Sequence, residues 1–473
     1  MTTNNKRWAW VMTIGAVLCG ATSPAQAARV EADLAAISDA MLASIHELRT
    51  LAALATSADP HVAAQARQRL RDAGPAGLAA FSELHADAIA AALRPQQPGA
   101  LARMLGLSSG TGQSAAQVQL LETLDDICAQ KDCAPAGLYW YTDLEQARAA
   151  ARASNKPIVS LRLLGDLRDE LSCANSRFFR ALLYPDPAVA NLLRGDFILH
   201  WQSERPAPKI TIDFGDGRSI ESTITGNSAH YVLDRDGNPV DVLPGLTTPA
   251  AFMADLQRAG FLARSSAGLA PAARLAALRE HHAARLVDLD RQFNRELAAI
   301  GQPPRRVGAD GRLEAAPRAG RAAPLAVSKA MIEVPMLGAL GEDVERLSDE
   351  ELWTRLAQAR LAEVQLAPAS LELLRKQQWR SGDLTRDAAD FEQALAELRR
   401  AVALDTVHNQ FDLHRRIHGW FAAAPTAPEL AALNQRVYGE LFLTPRSDPW
   451  LGLAAPTIYT GLVGGGRRVQ ARL

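Results

Sequence analysis

Three groups of residues carry side chains suited to chemistry. The first is Cys173, which stands in Cys173-Ala174-Asn175-Ser176 directly ahead of the helical run Arg177-Phe178-Phe179-Arg180-Ala181-Leu182-Leu183. A thiolate at a helix start is stabilised by unpaired backbone N–H groups and the helix dipole, which makes it a nucleophile toward disulfides. The second is the near pair Cys128 and Cys133, joined by Ala129-Gln130-Lys131-Asp132, which a disulfide would close into a small loop. The third is His414 with His418, inside Asp405-Thr406-Val407-His408-Asn409-Gln410-Phe411-Asp412-Leu413-His414-Arg415-Arg416-Ile417-His418. Two histidines at this spacing share one face of a helix, as a pair of metal ligands does, and Asp405 or Glu440 would add a carboxylate. The glutamate of a zincin motif is missing, since Arg415 and Ile417 fill the intervening positions. The plainer reading of this pair is a polar face over Trp420 and Phe421.

The elements that must hold Cys173 run from Gly137 to Gly260. The pattern predicts a helix over 142–153, then a buried strand in Lys156-Pro157-Ile158-Val159-Ser160-Leu161-Arg162-Leu163-Leu164. A loop over 165–172, carrying Asp166, Asp169 and Glu170, delivers Cys173 to its helix. Farther on, 229–243 reads as a β-hairpin around Arg235-Asp236-Gly237-Asn238, followed by a helix from Pro249 to Arg258. A further hairpin, Lys209 to Thr223 around Gly215-Asp216-Gly217, precedes it.

Helix, strand, cysteine at a helix start, helix, hairpin, helix: over Trp140 to Arg258 the chain resembles a thioredoxin-like domain of the exported bacterial type. Lys156-Pro157 before the strand, Asp186-Pro187-Ala188-Val189 after the helix and Asp236-Gly237 in the hairpin carry the resemblance. It implies an α/β thioredoxin-like central domain with Cys173 in the reactive position. Two departures qualify it. Ser176 stands where the family has a resolving cysteine, and Gly226-Asn227-Ser228 stands where it has a cis-proline facing the sulfur.

Three readings of Cys173 follow. As a monothiol oxidoreductase or isomerase-like nucleophile it attacks a thiol or disulfide substrate, Ser176 donates a hydrogen bond to the sulfur, and an external thiol resolves the adduct. It pairs instead with Cys128 or Cys133. Or it is inert, in a domain that binds a protein partner in the groove beside Asn227 and Ser228. A different class of function is a metal-binding helical domain around His414 and His418.

The rest of the chain sets the context. Lys6 and Arg7 precede the apolar run from Trp8 to Ala21, and Ala25-Gln26-Ala27 fits a secretory cleavage site, so residues 1–27 read as a signal peptide, with an uncleaved N-terminal anchor as the alternative. The expected protein is periplasmic or secreted, with no transmembrane segment after cleavage and with Cys128, Cys133 and Cys173 as its cysteines. A helical region is expected over 28–127, the thioredoxin-like domain over 128–262, a long helix over 263–300, a linker over 301–327 and a helical C-terminal region over 328–473. His281-His282 lies in the long helix; adjacent helix positions point about 100° apart, so the pair reads as a solvated face rather than one ligand set. A net charge of -1 gives no footing for nucleic acid. No haem-attachment, phosphate-loop, dinucleotide or Gly-x-Ser-x-Gly motif occurs, and no cofactor is expected.

Overall fold

The computed structural model describes residues 43–94, 113–223, 227–304, 350–380 and 388–448. The expected signal peptide, most of the expected linker and the C-terminal tail lie outside the described residues, as does Ser348, expected to cap a helix. The chain divides into two compact units, residues 1–86 and 87–473.

In the first unit, Asp59 caps the helix Pro60–Asp72 by accepting from the N–H groups of His61 and Val62. The next helix, Pro75–Leu84, follows Gly74, whose φ of 67° suits a turn between helices. Gly77 packs against the backbone of Leu70, where a Cβ would fall 1.9 Å from the carbonyl oxygen.

The second unit is mixed α/β. Its first helical elements are α1 (Ala115–Cys128) and α2 (Leu144–Ser154), capped by Ser114 and Asp143. Strand β1 (Ile158–Leu164) leads to α3 (Ala174–Phe178), which continues as a π-helical turn over Phe179–Leu183. Then come α4 (Pro187–Asp196) and β2 (Ile198–Arg205), a strand with no counterpart among the sequence expectations. The ribbon β3 (Lys209–Asp213) and β4 (Ser219–Thr223) stands apart as a two-stranded sheet. The hairpin β5 (Ala229–Leu233) and β6 (Pro239–Pro244) returns to the main sheet, whose order is β2-β1-β5-β6. β1 and β2 run parallel, with Ser160 opposite His200; β5 is antiparallel to both β1 and β6.

Every residue of β1, β5 and β6 is buried. The continuous apolar run in β1 is thus that of a strand covered on both faces. Helix α5 (Pro249–Ser266), longer than the expected 249–258, packs against β5 and β6. It is followed by α6 (Pro271–Ala299), α7 (Glu350–Ala359), α8 (Pro368–Arg380) and α9 (Ala388–His408). A π-helical segment, Asn409–His414, joins α9 to α10 (Arg415–Ala423), and α11 (Leu430–Arg436) ends in another, Val437–Leu441. One apolar cluster runs from Leu138 and Trp140 through the sheet to Leu278, Phe293, Phe411, Phe421 and Val437. The C-terminal helices therefore share a core with the sheet.

Candidate functional site

Cys173 is the N-cap residue of α3 and has no exposed surface. Its N–H donates to the Leu164 carbonyl at the end of β1, which ties the helix mouth to the strand. The sulfur lies 2.9 Å from Ser228 Oγ. Ser228 thus faces the sulfur, and Ser176 does not bond it. Ser176 Oγ donates instead toward Ser172 Oγ at 2.7 Å and the Cys173 carbonyl at 2.8 Å, because a hydroxyl one turn into a helix reaches back to the backbone more easily than across to a side chain. Beneath them the Arg180 guanidinium donates to Ser172 Oγ and to the Leu167 and Glu170 carbonyls. Burial holds its pKa below the usual arginine value, against the pull of Asp132 and Asp125. Asn175, inside the motif, is buried with neither side-chain polar atom hydrogen-bonded within the chain.

The groove expected beside Asn227 and Ser228 is occupied by the chain itself. Asn227 Nδ2 donates to the Phe442 carbonyl at 3.0 Å, and Tyr438 Oη donates to the Asn227 carbonyl at 3.1 Å. Asn227 and Ser228 are 3% and 0% exposed, so a partner segment cannot lie on them while residues 437–444 are in place. The disulfide joins Cys128 to Cys133, leaving Cys173 as a thiol and removing the reading in which it pairs with either. The loop so closed is anchored by the Lys131 N–H to the Leu167 carbonyl and by Trp201 Nε1 to the Ala129 carbonyl.

The second candidate is a buried cluster at β6. His414 and His418 do share a face, with ring centroids 4.1 Å apart, but they point into the core, not over a polar surface. The carboxylate beside them is Asp241 of β6: His414 Nε2 lies 3.0 Å from Asp241 Oδ1. Glu440 pairs with Arg436 on the exposed face, and Asp405 is buried within α9. His282 of α6, expected on a solvated face, has no exposed surface. Its Nδ1 is 2.7 Å from His418 Nδ1, its Nε2 is 2.9 Å from the Val240 carbonyl, and its ring stacks on Phe421. Its neighbours on the buried stripe of α6, Leu278, Leu289, Phe293 and Leu297, explain why: with 3.6 residues per turn, the apolar phase of the helix carries His282 inward and His281 toward its edge.

Electrostatics in this cluster are lopsided. Burial works against a charge on Asp241, but the His414 ring hydrogen-bonded to it outweighs that and holds the carboxyl well below the usual range. Burial likewise opposes a charge on His414; Asp241, with Asp255 at 3.7 Å, reverses that and raises its pKa. His282 is pushed down to about 4 by burial. His418 is held neutral by burial and by the adjacent His414. The shifts favour the charged form of His414 against the Asp241 carboxylate and the neutral form of the His282 and His418 imidazoles.

Asp241 and His282 escaped the sequence reading, though each left a signal. A lone carboxylate inside the apolar strand Pro239-Val240-Asp241-Val242-Leu243 must find a partner when buried, and His282 falls in phase with the leucines of α6. Tyr438, which binds the Asn227 carbonyl beside Ser228, left no such signal. Two further buried pairs tie the sheet together: Ser160 Oγ of β1 with His200 Nδ1 of β2, and Tyr184 Oη, at the end of the π-helical turn, with His230 Nε2 of β5, each 2.8 Å apart. Comparison with family models, curated proteins and solved structures returns no match.

Proposed function

We propose that this chain is an exported protein on a thioredoxin-like scaffold, and that it works by binding a partner in the envelope rather than by turning over disulfides. The strand order β2-β1-β5-β6, parallel then antiparallel, supports the thioredoxin-like part. So does a cysteine heading the helix after the first strand, with Ser228 opposite in the place of the family's proline. The export part rests on residues 1–27 alone.

The seal over the sulfur carries the binding reading. Exchange needs a thiolate within reach of another sulfur, and Cys173 has no exposed surface: its sulfur lies against Ser228, whose neighbour Asn227 is bound by Tyr438 and Phe442. What lies open beside the seal is a cavity of about 570 Å³ between β1–β2 and residues 430–447. Arg162, Gln202 and Glu204 line one wall; Asn434, Tyr438 and Thr444 line the other. Arg162 donates to Gln202 Oε1 and Glu204 Oε1, so its wall of the cavity is polar while Leu144, Leu164 and Leu430 make other parts of it apolar.

The test is maleimide labelling of the folded, full-length protein alongside an insulin-reduction assay. The binding reading expects Cys173 to label only as fast as the structure opens, and no insulin turnover. Rapid labelling of the folded protein, with turnover lost in Cys173→Ser, would overturn it in favour of the monothiol reading.

A further inference from the structure

The cluster at β6 brings together side chains that burial alone disfavours. Asp241, His282 and His418 come from a strand and two helices far apart in sequence, and all are at most 2% exposed. One ligand-type atom from each lies within 4.8 Å of the other two. Each polar group costs free energy to desolvate unless it is paired.

Hydrogen bonds account for only part of this arrangement. The Val240 carbonyl can only accept, so His282 Nε2 carries a proton and, in the neutral ring, Nδ1 presents a lone pair. That lone pair faces His418 Nδ1 at 2.7 Å. For the contact to be a hydrogen bond, His418 must carry its proton on Nδ1. Its Nε2 is then an acceptor in the interior, and it has no partner in the chain. A proton therefore satisfies the pair incompletely, whereas a cation drawing on imidazole lone pairs would use what the fold presents.

The outer contacts fit the same reading. Ligating imidazoles are commonly held by their second nitrogen on a backbone carbonyl, and ligating carboxylates are themselves hydrogen-bonded. His282 is held by Val240 in that manner. Asp241 Oδ1 is held by His414 Nε2 at 3.0 Å and by the Val242 N–H at 2.8 Å. Two nitrogens and one carboxylate, with no thiolate, suit zinc or a neighbouring divalent transition ion; calcium and magnesium prefer all-oxygen shells.

We propose that Asp241, His282 and His418 bind a divalent transition-metal ion of the zinc class, with His414 as a positioning residue that fixes the Asp241 carboxylate. The ion clamps strand β6 to helices α6 and α10. The site is independent of the thiol pocket and of the scaffold reading.

The experiment uses untagged full-length protein stripped with a chelator and dialysed. Zinc is titrated against a chromophoric competitor, and cobalt(II) is added to a parallel sample for its visible spectrum. The expected result is about one tight equivalent, and a cobalt spectrum with ligand-field bands but no thiolate charge-transfer band. Cys173→Ser keeps the equivalent; His418→Ala and Asp241→Asn lose it. His414→Gln keeps the stoichiometry but weakens affinity about 10- to 100-fold, as loss of an outer-shell partner does. Absence of a tight equivalent in the wild type overturns the proposal, as does one that survives in both His418→Ala and Asp241→Asn. If those variants fail to fold, the wild type still decides: zinc must raise its melting temperature with concentration, and no shift rejects the site.

Discussion

The sulfur pocket and the histidine cluster are both buried polar sites in one unit, yet they are built in opposite ways. Cys173, Ala174, Asn175 and Ser176 are contiguous, and their contacts are short hydroxyl and carbonyl bonds around a sulfur–hydroxyl pair. The cluster is drawn from β6, α6, the π-helical segment and α10, and it holds an ion pair. In the first, local sequence sets the chemistry and distant chain sets access, through Tyr438 and Phe442. In the second, the chemistry itself exists only after folding. A buried ion pair is sensitive to the loss of either partner, while a neutral hydrogen-bonded pair tolerates change.

That contrast can be tested hardest with acid. Burial lowers His200 and His230 to about 3, and His282 and His408 to about 4. Below the unfolded value near 6.5 the unfolded chain binds more protons at these four positions, so stability falls with pH in that window. The slope is about 1.4 kcal/mol per pH unit for each histidine, and the four together sum to roughly 8 kcal/mol between pH 7 and 5. His414 acts in the opposite sense: its contribution is complete below 6.5 and is lost as pH rises through its raised folded value. Urea unfolding at pH 7.5, 6 and 5 should show a steep loss on acidification; an unchanged midpoint would mean these rings are not buried and neutral.

Next in size is Asp241→Ala, which leaves the His414 cation without its nearest partner and should cost about 3–5 kcal/mol in chemical denaturation. A cost near that of a surface substitution would erase the difference between the two sites. Gly245 links them: its N–H donates to the Ser228 carbonyl, its φ is 63°, and a Cβ there would lie 2.6 Å from Asn409 Nδ2. Gly245→Ala should therefore cost about 1–3 kcal/mol and speed Cys173 labelling, which a purely local effect would not do. Tyr438→Phe removes the donor to Asn227, at about 1 kcal/mol, and should also raise the labelling rate. The smallest effect is expected from Cys173→Ser, at about 1 kcal/mol or less, because the new hydroxyl keeps a hydrogen bond to Ser228. A large loss there would place the structural weight on the sulfur.

Much of the sheet region was legible. An unbroken apolar run located β1, and turn residues located both hairpins, because apolar runs and Gly/Asp turn chemistry are local properties. Strand β2 was not found: Ile198-Leu199-His200-Trp201-Gln202 carries polar residues that look solvated until Ser160 and the Tyr141 bridge pair them. The π-helical segment that ends in His414 was equally invisible, since the shift in helical phase it introduces goes with its packing against β6 and α6.

By itself the sequence determined which residues could carry chemistry and which stretches fold as helix or strand, since both depend on side-chain type and spacing along a few turns. Tertiary structure decided that Asn227 and Ser228 lie under Tyr438 and Phe442, and that Asp241 and His282 join His414 and His418. Those outcomes depend on which apolar faces meet in the shared core, and hydrophobic burial is non-directional: it drives the faces together without recording, in any one segment, what they will enclose.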